Sequence, residues 1–165
     1  MADYFSPTIV QPTIPIVDMT PLERLVLAQV FDAKEDGDGI YFLAESGAAS
    51  SIALSLANLR TAFSASVGIA STGLDYLADK MPGSSSPDGV VEIDMSGTSV
   101  EFFLQDIVKR SATLNYVTVV SAFTCSKMRP DGFGGMAVVI TADAIKGKST
   151  DDIVNDCLDE LGVTP

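Results

Sequence analysis

The chain has 165 residues, of which 47% are hydrophobic and 19% charged, and it carries a formal net charge of -12 and no histidine. A chain of this length and composition is expected to form a globular domain with its own core. The absence of histidine excludes Ser-His-Asp and Cys-His catalysis, HExxH zinc sites and imidazole acid-base chemistry. The negative charge opposes contact with phosphates and anionic membranes. We therefore expect no direct nucleic-acid partner, no membrane partner, and a preference for proteins with a basic surface.

The first nineteen residues lack the basic region and the unbroken apolar run of a signal peptide. Prolines at positions 7, 12 and 15 favour extended backbone. We therefore predict an extended N-terminal arm, residues 1–19, in a cytoplasmic protein. The arm carries apolar side chains, so it is expected to lie either on its own domain or on a neighbouring subunit. The second alternative predicts a homo-oligomer formed through the N-terminal arm.

Residues 20–165 are predicted to form a single α+β domain with a largely antiparallel sheet of four or five strands, packed by about five helices. Capping signals and hydrophobic periodicity give the element order α-β-β-α-α-β-α-β-β-α. This mixture of helices and hairpins, without regular βαβ alternation, favours the α+β class. The expected ranges are helix 21–31, strands 40–45 and 51–54 as a hairpin, helices 56–66 and 71–81, a loop over 82–89, strand 90–96, helix 98–110, strands 115–126 and 135–142, and helix 150–161.

Two Thr-x-x-Glu capping boxes mark helix starts, one at Thr20 and Glu23 and the other at Thr98 and Glu101. The second precedes an apolar stripe with helical spacing, and basic residues at its end suit the helix dipole. The strands over 115–126 and 135–142 are apolar or small on both faces, so we expect them at the centre of the sheet with both faces covered. The last helix is predicted to bury four apolar side chains, Ile153, Val154, Leu158 and Leu161.

The segment between the last two predicted strands, SKMRPDGFGG, concentrates cations, an aromatic ring and turn residues. Its Arg-Pro-Asp-Gly sequence is typical of a tight turn. A hairpin turn with solvated charges accounts for it. The functional alternative is a rigid hairpin tip whose Arg and aromatic side chains anchor a protein partner. The residues that would make that contact are Lys127, Met128, Arg129, Asp131 and Phe133.

The C-terminal helix carries a row of carboxylates, Asp152, Asp156 and Asp159, on one face at spacings of four and three residues. A second acidic segment contains Asp36 and Asp38. Carboxylates arranged in this way either form a solvated face or bind a basic surface, where the row on the helix can imitate a row of phosphates. We include these five residues among the candidate partner-binding residues.

No catalytic residue, metal site or cofactor is predicted. The segment from Asp32 does not match an EF-hand calcium loop, because the ligand positions 3 and 12 of such a loop would be Lys34 and Leu43. Glu92 and Asp94 share a strand face, and the polar face of an amphipathic strand explains them better than a Mg²⁺ pair. Cys125 lies near Lys127, which would lower the pKa of a thiol, but its position among apolar residues of the strand favours a buried, inert cysteine.

The segments TPLERLVLAQVFDA and YVTVVSAFTCSKMRPDGFGGMAVVITADAIKGKST resemble a family of small, uncharacterised bacterial proteins associated with plasmids or other mobile elements. The resemblance spans most of the chain. It implies a setting in mobile-element biology, and it implies no activity and no catalytic residue.

The favoured hypothesis is a non-enzymatic acidic protein that binds another protein. The most specific form of this hypothesis is a mobile-element anti-defence inhibitor. It would bind the nucleic-acid-binding surface of a nucleic-acid-processing protein, with its carboxylates mimicking phosphates. Two alternatives stay open: a small enzyme or ligand-binding protein that uses carboxylates or Cys125, and an oligomeric structural component.

Overall fold

The structure, a computed structural model, describes residues 2–81 and 89–163. Within these residues the chain forms five α-helices and nine strands. The helices are α1 Pro21–Val30, α2 Leu56–Ser66, α3 Thr72–Ala78, α4 Val100–Arg110 and α5 Thr150–Leu161. The strands are β1 Tyr4–Phe5, β2 Thr8–Pro15, β3 Asp32–Asp36, β4 Gly39–Ala44, β5 Ser51–Ser55, β6 Val90–Asp94, β7 Tyr116–Cys125, β8 Gly134–Thr141 and β9 Ile145–Ser149. The loop predicted over residues 82–89 lies outside the described residues, apart from its last position.

Seven strands form the main sheet, in the order β3-β4-β2-β7-β8-β9 with β1 paired to the end of β7. All strand pairs described are antiparallel. The α+β class and the predominance of antiparallel pairing are therefore confirmed. The sheet is larger than the four or five strands expected. The predicted hairpin of strands 40–45 and 51–54 is wrong, because β5 pairs with β6 in a separate two-stranded sheet.

The segment expected as an N-terminal arm supplies the middle of the sheet. β2 pairs with β4 on one side and with β7 on the other. Its Val10 and Ile14 are 1% and 0% exposed, so they belong to the core. The backbone is extended, as the prolines indicate, but residues 8–15 are enclosed by their own chain.

The two edge strands of the sheet were not predicted, because their sequences do not alternate between apolar and polar residues. β3, expected as part of an acidic turn, has the sequence DAKED and every residue exposed. β9, which was not predicted, has the sequence IKGKS. Charged side chains are common on such strands because they discourage edge-to-edge association. Their composition therefore reflects position in the sheet more than intrinsic strand preference.

The core lies on one face of the sheet, where α4 contacts β7 and β8 and α1 contacts β3 and β4. Val117 and Val119 of β7 face Ile140 and Val138 of β8 in register, and all four are buried. The expectation that both faces of these strands are covered is wrong. On the opposite face, side chains remain well exposed, with Tyr116 at 52%, Val120 at 40% and Val139 at 44%.

A buried carboxylate ties α1 to the N-terminus of α3 and to α4. Glu23 is 0% exposed and forms the predicted capping box with Thr20, whose backbone N–H donates to Glu23 Oε2 at 2.9 Å. Glu23 also accepts a hydrogen bond from the Ser71 hydroxyl at 2.8 Å and pairs with the Arg110 guanidinium. The second predicted capping box is wrong, because α4 begins after Ser99 and no side chain caps it.

Candidate partner-binding surface

The hairpin between β7 and β8 is formed as predicted, and its connecting loop projects into solvent. Met128 is 78% exposed and Phe133 is 48% exposed. Met128 also adopts a positive φ of 50°, a conformation that side-chain-bearing residues seldom occupy. Lys127 and Arg129 are exposed, and the loop is closed by a hydrogen bond from Gly132 N–H to the Arg129 carbonyl at 2.9 Å.

The base of the loop is fixed to the sheet on its β1 side. The Tyr4 hydroxyl donates to Asp131 Oδ2 at 3.2 Å. A Cβ at position 132 would lie 2.2 Å from Cys125 Cβ, so only glycine permits this close approach. Cys125 is consequently buried, with 6% exposure. A buried thiol of this kind acts as a small apolar side chain.

α5 starts beside the same loop. Ser149 and Asp152 form a capping box in which Ser149 N–H and the Ser149 hydroxyl donate to Asp152 at 2.7 and 2.8 Å. These hydrogen bonds, that from the backbone N–H first, hold the pKa of Asp152 below its ordinary value of 3.8. The Thr150 hydroxyl accepts from Gly135 N–H of β8 at 3.2 Å. The first turn of the helix is therefore anchored to the sheet.

The rest of α5 is scarcely covered, and the prediction that it buries its apolar stripe is wrong. No residue of the helix is buried. Ile153, Val154 and Leu161 are 51%, 55% and 76% exposed. Leu158 is half-buried, and Cys157, which lies in the same stripe, is exposed. The helix thus has the amphipathic sequence of a packed helix without a surface to pack on.

The row of Asp152, Asp156 and Asp159 lies on the side of α5 opposite this stripe, because successive residues of a helix are about 100° apart, and Glu160 lies at the border of the stripe. Asp156 pairs with Lys148 of β9, and the hydrogen bond and charge of Asp156 raise the pKa of that lysine above 10.5. Asp159 and Glu160 are exposed. Asp152 serves as part of the helix cap described above. The acidic row predicted from the sequence is present on the surface, with one of its members paired to a cation.

A cavity of about 370 Å³ lies between the hairpin loop, β1 and the start of α5. Four aromatic residues line it, and each keeps 38–52% of its surface exposed. Two carboxylates, Asp131 and Asp151, also line it. The aromatic residues are Tyr4, Phe5, Phe123 and Phe133.

The predicted site residues fall into two separate groups. The hairpin residues and α5 lie at one end of the sheet, where the predicted Asp131 and Phe133 line a cavity together with Asp151, which was not predicted. The predicted Asp152, Asp156 and Asp159 do not line it. Asp36 and Asp38 lie at the β3–β4 turn, at the opposite edge of the sheet and at its other end. Five strand spacings of about 4.8 Å separate the two edges by roughly 24 Å. The acidic segments therefore do not form one continuous face.

The sequence alone does not identify three of the four aromatic residues of the cavity, or Asp151. It predicts Tyr4 and Phe5 as part of the arm and Phe123 as part of a covered strand. Their common signal is the register of β1 with β7, in which Tyr4 faces Cys125 and Phe5 faces Thr124. That pairing joins residues more than a hundred positions apart and leaves no trace in local sequence pattern.

The residues considered for enzyme chemistry do not converge on this cavity, which is lined by neither Cys125 nor Lys127. Glu92 accepts a hydrogen bond from Ser51 at 3.2 Å, and Asp94 accepts one from Ser96 N–H at 2.8 Å. Hydrogen bonds with Ser96 lower the pKa of Asp94. In residues 2–81 and 89–163 no group of three or more Cys, Asp or Glu side chains is placed to hold a metal ion.

No family model, curated protein or solved structure matches this chain. Among the described residues, no helix has the length and apolar character needed to cross a membrane.

Proposed function

We propose that this protein is a non-enzymatic binding module that presents α5 to a protein with an apolar groove and a basic rim. The observation that carries the proposal is the exposed apolar stripe of α5, with Ile153, Val154 and Leu161 each more than half exposed on a helix whose other side carries a row of carboxylates. Amphipathic helices commonly bind by laying such a stripe into a groove on the partner.

The two halves of the helix surface have different roles in this proposal. Completing the burial of a half-exposed Ile, Val or Leu contributes about 1 kcal/mol per side chain, so the stripe supplies affinity. Exposed rim charges mainly affect the rate of association and the choice of partner. Asp159 and Glu160 therefore favour basic partners and disfavour acidic ones.

A second copy of this chain fits the stripe less well. Each copy carries a net charge of -12. In a two-fold pair the same patch faces itself, so the α5 carboxylates of both copies would come close together. This repulsion favours a partner of opposite charge.

The sharper form of the proposal is that the partner processes nucleic acid and that this protein occupies its phosphate-binding surface. The spacing of Asp152, Asp156 and Asp159 along one helix supports it. The group at Asp36 and Asp38 lies at the opposite edge of the sheet, so the mimicry would depend on α5 alone.

A photo-crosslinking experiment tests the proposal. In a Cys157→Ser background, Asn155→Cys places a benzophenone maleimide on the flank of α5, while the native Cys125 is buried. Irradiation in a lysate of the source organism is expected to give a discrete adduct with a basic protein, and excess unlabelled protein should compete for it. Adding Ile153→Ser and Leu161→Ser should weaken binding roughly thirty-fold, which corresponds to about 2 kcal/mol.

The matched control carries the probe elsewhere on the surface. Val67, at the end of α2, is 64% exposed, and Val67→Cys in the same background should not give this adduct. If both positions give the same adducts, or if the two serine substitutions leave the α5 adduct unchanged, the proposal is wrong. A salt series separates the contributions, because rim charges are screened at high ionic strength and apolar burial is not.

A further inference from the structure

We infer that the cavity between the hairpin loop, β1 and α5 binds an organic cation, namely an alkylated ammonium group such as a methylated lysine side chain. The identification of its source as a partner protein rests on the proposed function above. The cation site itself is carried by separate observations on the cavity and can be tested without any partner.

The first observation is the aromatic lining. Tyr4, Phe5, Phe123 and Phe133 all border a cavity of about 370 Å³, which lies within the size range of small-ligand pockets. Because Tyr4 and Phe5 are consecutive in β1, their side chains point to opposite faces of the strand, so the site is argued from the rings of Tyr4, Phe123 and Phe133. None of the four is buried, since their exposures are 52%, 42%, 38% and 48%. Aromatic faces carry negative electrostatic potential and attract cations within about 6 Å of the ring, and several rings around one cavity are the usual arrangement for alkylated ammonium groups.

The second observation is the sign of the charge at the cavity. Asp131 and Asp151 line it, and none of the ten lysine and arginine residues of the chain does. A cation would therefore meet carboxylates and aromatic side chains, with no lysine or arginine among the residues that line the cavity. Lys127 and Arg129 belong to the hairpin loop that borders the cavity, but they are exposed to solvent and are not among the residues that line it.

The third observation is that the cavity is held open by contacts within the protein. The hydrogen bond from the Tyr4 hydroxyl to Asp131 joins one ring to one carboxylate at 3.2 Å. On the opposite wall, a Cβ at position 134 would lie 2.8 Å from Thr150 Oγ1, so glycine allows β8 to approach α5 beside Phe133. A site organised before binding loses less conformational freedom when the ligand enters.

The start of α5 does not make the cavity an anion site. Backbone N–H groups at a helix N-terminus favour negative charge. Here the Ser149 hydroxyl accepts from Asp152 N–H, and Asp152 accepts from Ser149 N–H, so the capping box occupies two of these groups. Asp151 adds a further carboxylate in the same turn. The cavity wall formed by α5 is therefore negative.

The test is an NMR titration of the isolated full chain with tetramethylammonium chloride and with a short peptide containing trimethyllysine. Shifts are expected at Tyr4, Phe123 and Phe133 with both probes. A peptide with the neutral tert-butyl isostere of trimethyllysine should bind several-fold more weakly, because it keeps the shape and loses the charge. Phe133→Leu and Asp131→Asn should each weaken the cation about three- to ten-fold.

Two substitutions at matched positions outside the cavity serve as controls. Phe102→Leu changes a phenylalanine that is 46% exposed on α4, and Asp38→Asn changes an exposed aspartate in the β3–β4 turn. Neither should alter cation binding. Equal binding of the neutral isostere, no shifts with either cation, or equal effects of the cavity and control substitutions would overturn the inference.

The arms of the experiment also separate the two proposals and the two sources of the cation. Stronger binding of the trimethyllysine peptide than of tetramethylammonium supports a protein side chain, and the reverse supports a small free cation. Cation binding without an α5 crosslink would contradict the proposed function and support the cation site. An α5 crosslink without cation binding would remove the site and keep the proposed function.

Discussion

α4 and α5 have the same kind of sequence and opposite environments. Both are amphipathic helices of similar length, Val100–Arg110 and Thr150–Leu161. In α4 the apolar stripe is closed against the sheet, and Phe103, Leu104 and Ile107 are all 0% exposed. In α5 no residue is buried. An amphipathic pattern thus specifies a helix with an apolar side, and the surface that covers that side is decided elsewhere in the fold.

The reason for the difference lies in the topology of the sheet. β7 and β8 lie beside each other inside the sheet, and α4 covers their buried face. α5 follows β9, which is the last strand of the sheet. Its first turn is hydrogen-bonded to β8 through Thr150. Beyond this turn, little of the helix surface packs on the sheet, since no residue of α5 is buried. The exposed stripe is therefore available to a partner.

The largest expected effect comes from removing the same side chain from both helices. Leu104→Ala should lower the free energy of unfolding by about 3–4 kcal/mol, because it leaves a cavity against the sheet. Leu161→Ala, at a position that is 76% exposed, should change it by less than about 0.5 kcal/mol. Urea denaturation followed by circular dichroism measures both. A loss above about 1.5 kcal/mol for Leu161→Ala would mean that α5 packs on its own domain.

A second, smaller effect concerns the ion pair that each helix forms. Arg110 of α4 pairs with Glu23, whose side chain is fully buried, whereas Lys148 and Asp156 beside α5 are 62% and 52% exposed. Glu23→Gln should lower the free energy of unfolding by about 2–3 kcal/mol, because it leaves the Arg110 guanidinium without its counter-charge and removes one of the two oxygen acceptors of the buried carboxylate. Asp156→Asn should have an effect within about 0.5 kcal/mol. Equal effects in the same denaturation assay would contradict this difference.

Local pattern predicted the elements whose signals lie within a few neighbouring residues and failed at those defined by distant neighbours. Helix α1 was predicted with its capping box because Thr20, Pro21 and Glu23 act within one turn. The sequence predicts β2 as part of an extended arm, because the strands that pair with it, β4 and β7, come later in the chain. Prolines in a central strand argue against such an assignment from sequence alone, and here the pairing shifts register between Val10 and Ile14, close to Pro12.

The candidate site was predicted only in part for the same reason. Turn chemistry between two apolar runs located the hairpin loop and its exposed Met128 and Phe133. The apolar spacing of α5 located the stripe but assigned it to the core, since periodicity does not distinguish burial within the chain from burial against a partner. The cavity depends on β1 meeting β7 and on α5 starting beside β8. Both contacts are long-range, so no sequence window contains them.

The smallest expected effect is a pH dependence confined to the start of α5. The pKa of Asp152 is lowered from 3.8 in the folded protein by its hydrogen bonds to Ser149. A carboxyl whose pKa is lowered on folding stabilises the folded form above its unfolded pKa, and this contribution is lost as the pH falls through the folded value. Amide exchange in residues 150–154, measured relative to that of α4, should therefore accelerate below about pH 4, the ordinary range for an aspartate. Ser149→Ala removes the hydroxyl that donates to Asp152. This variant should therefore show faster amide exchange in residues 150–154 at neutral pH, and a smaller further acceleration when the pH is lowered. An acid response of the same size in α4, which has no side-chain cap, would show that general loosening of the fold causes it rather than the Asp152 cap.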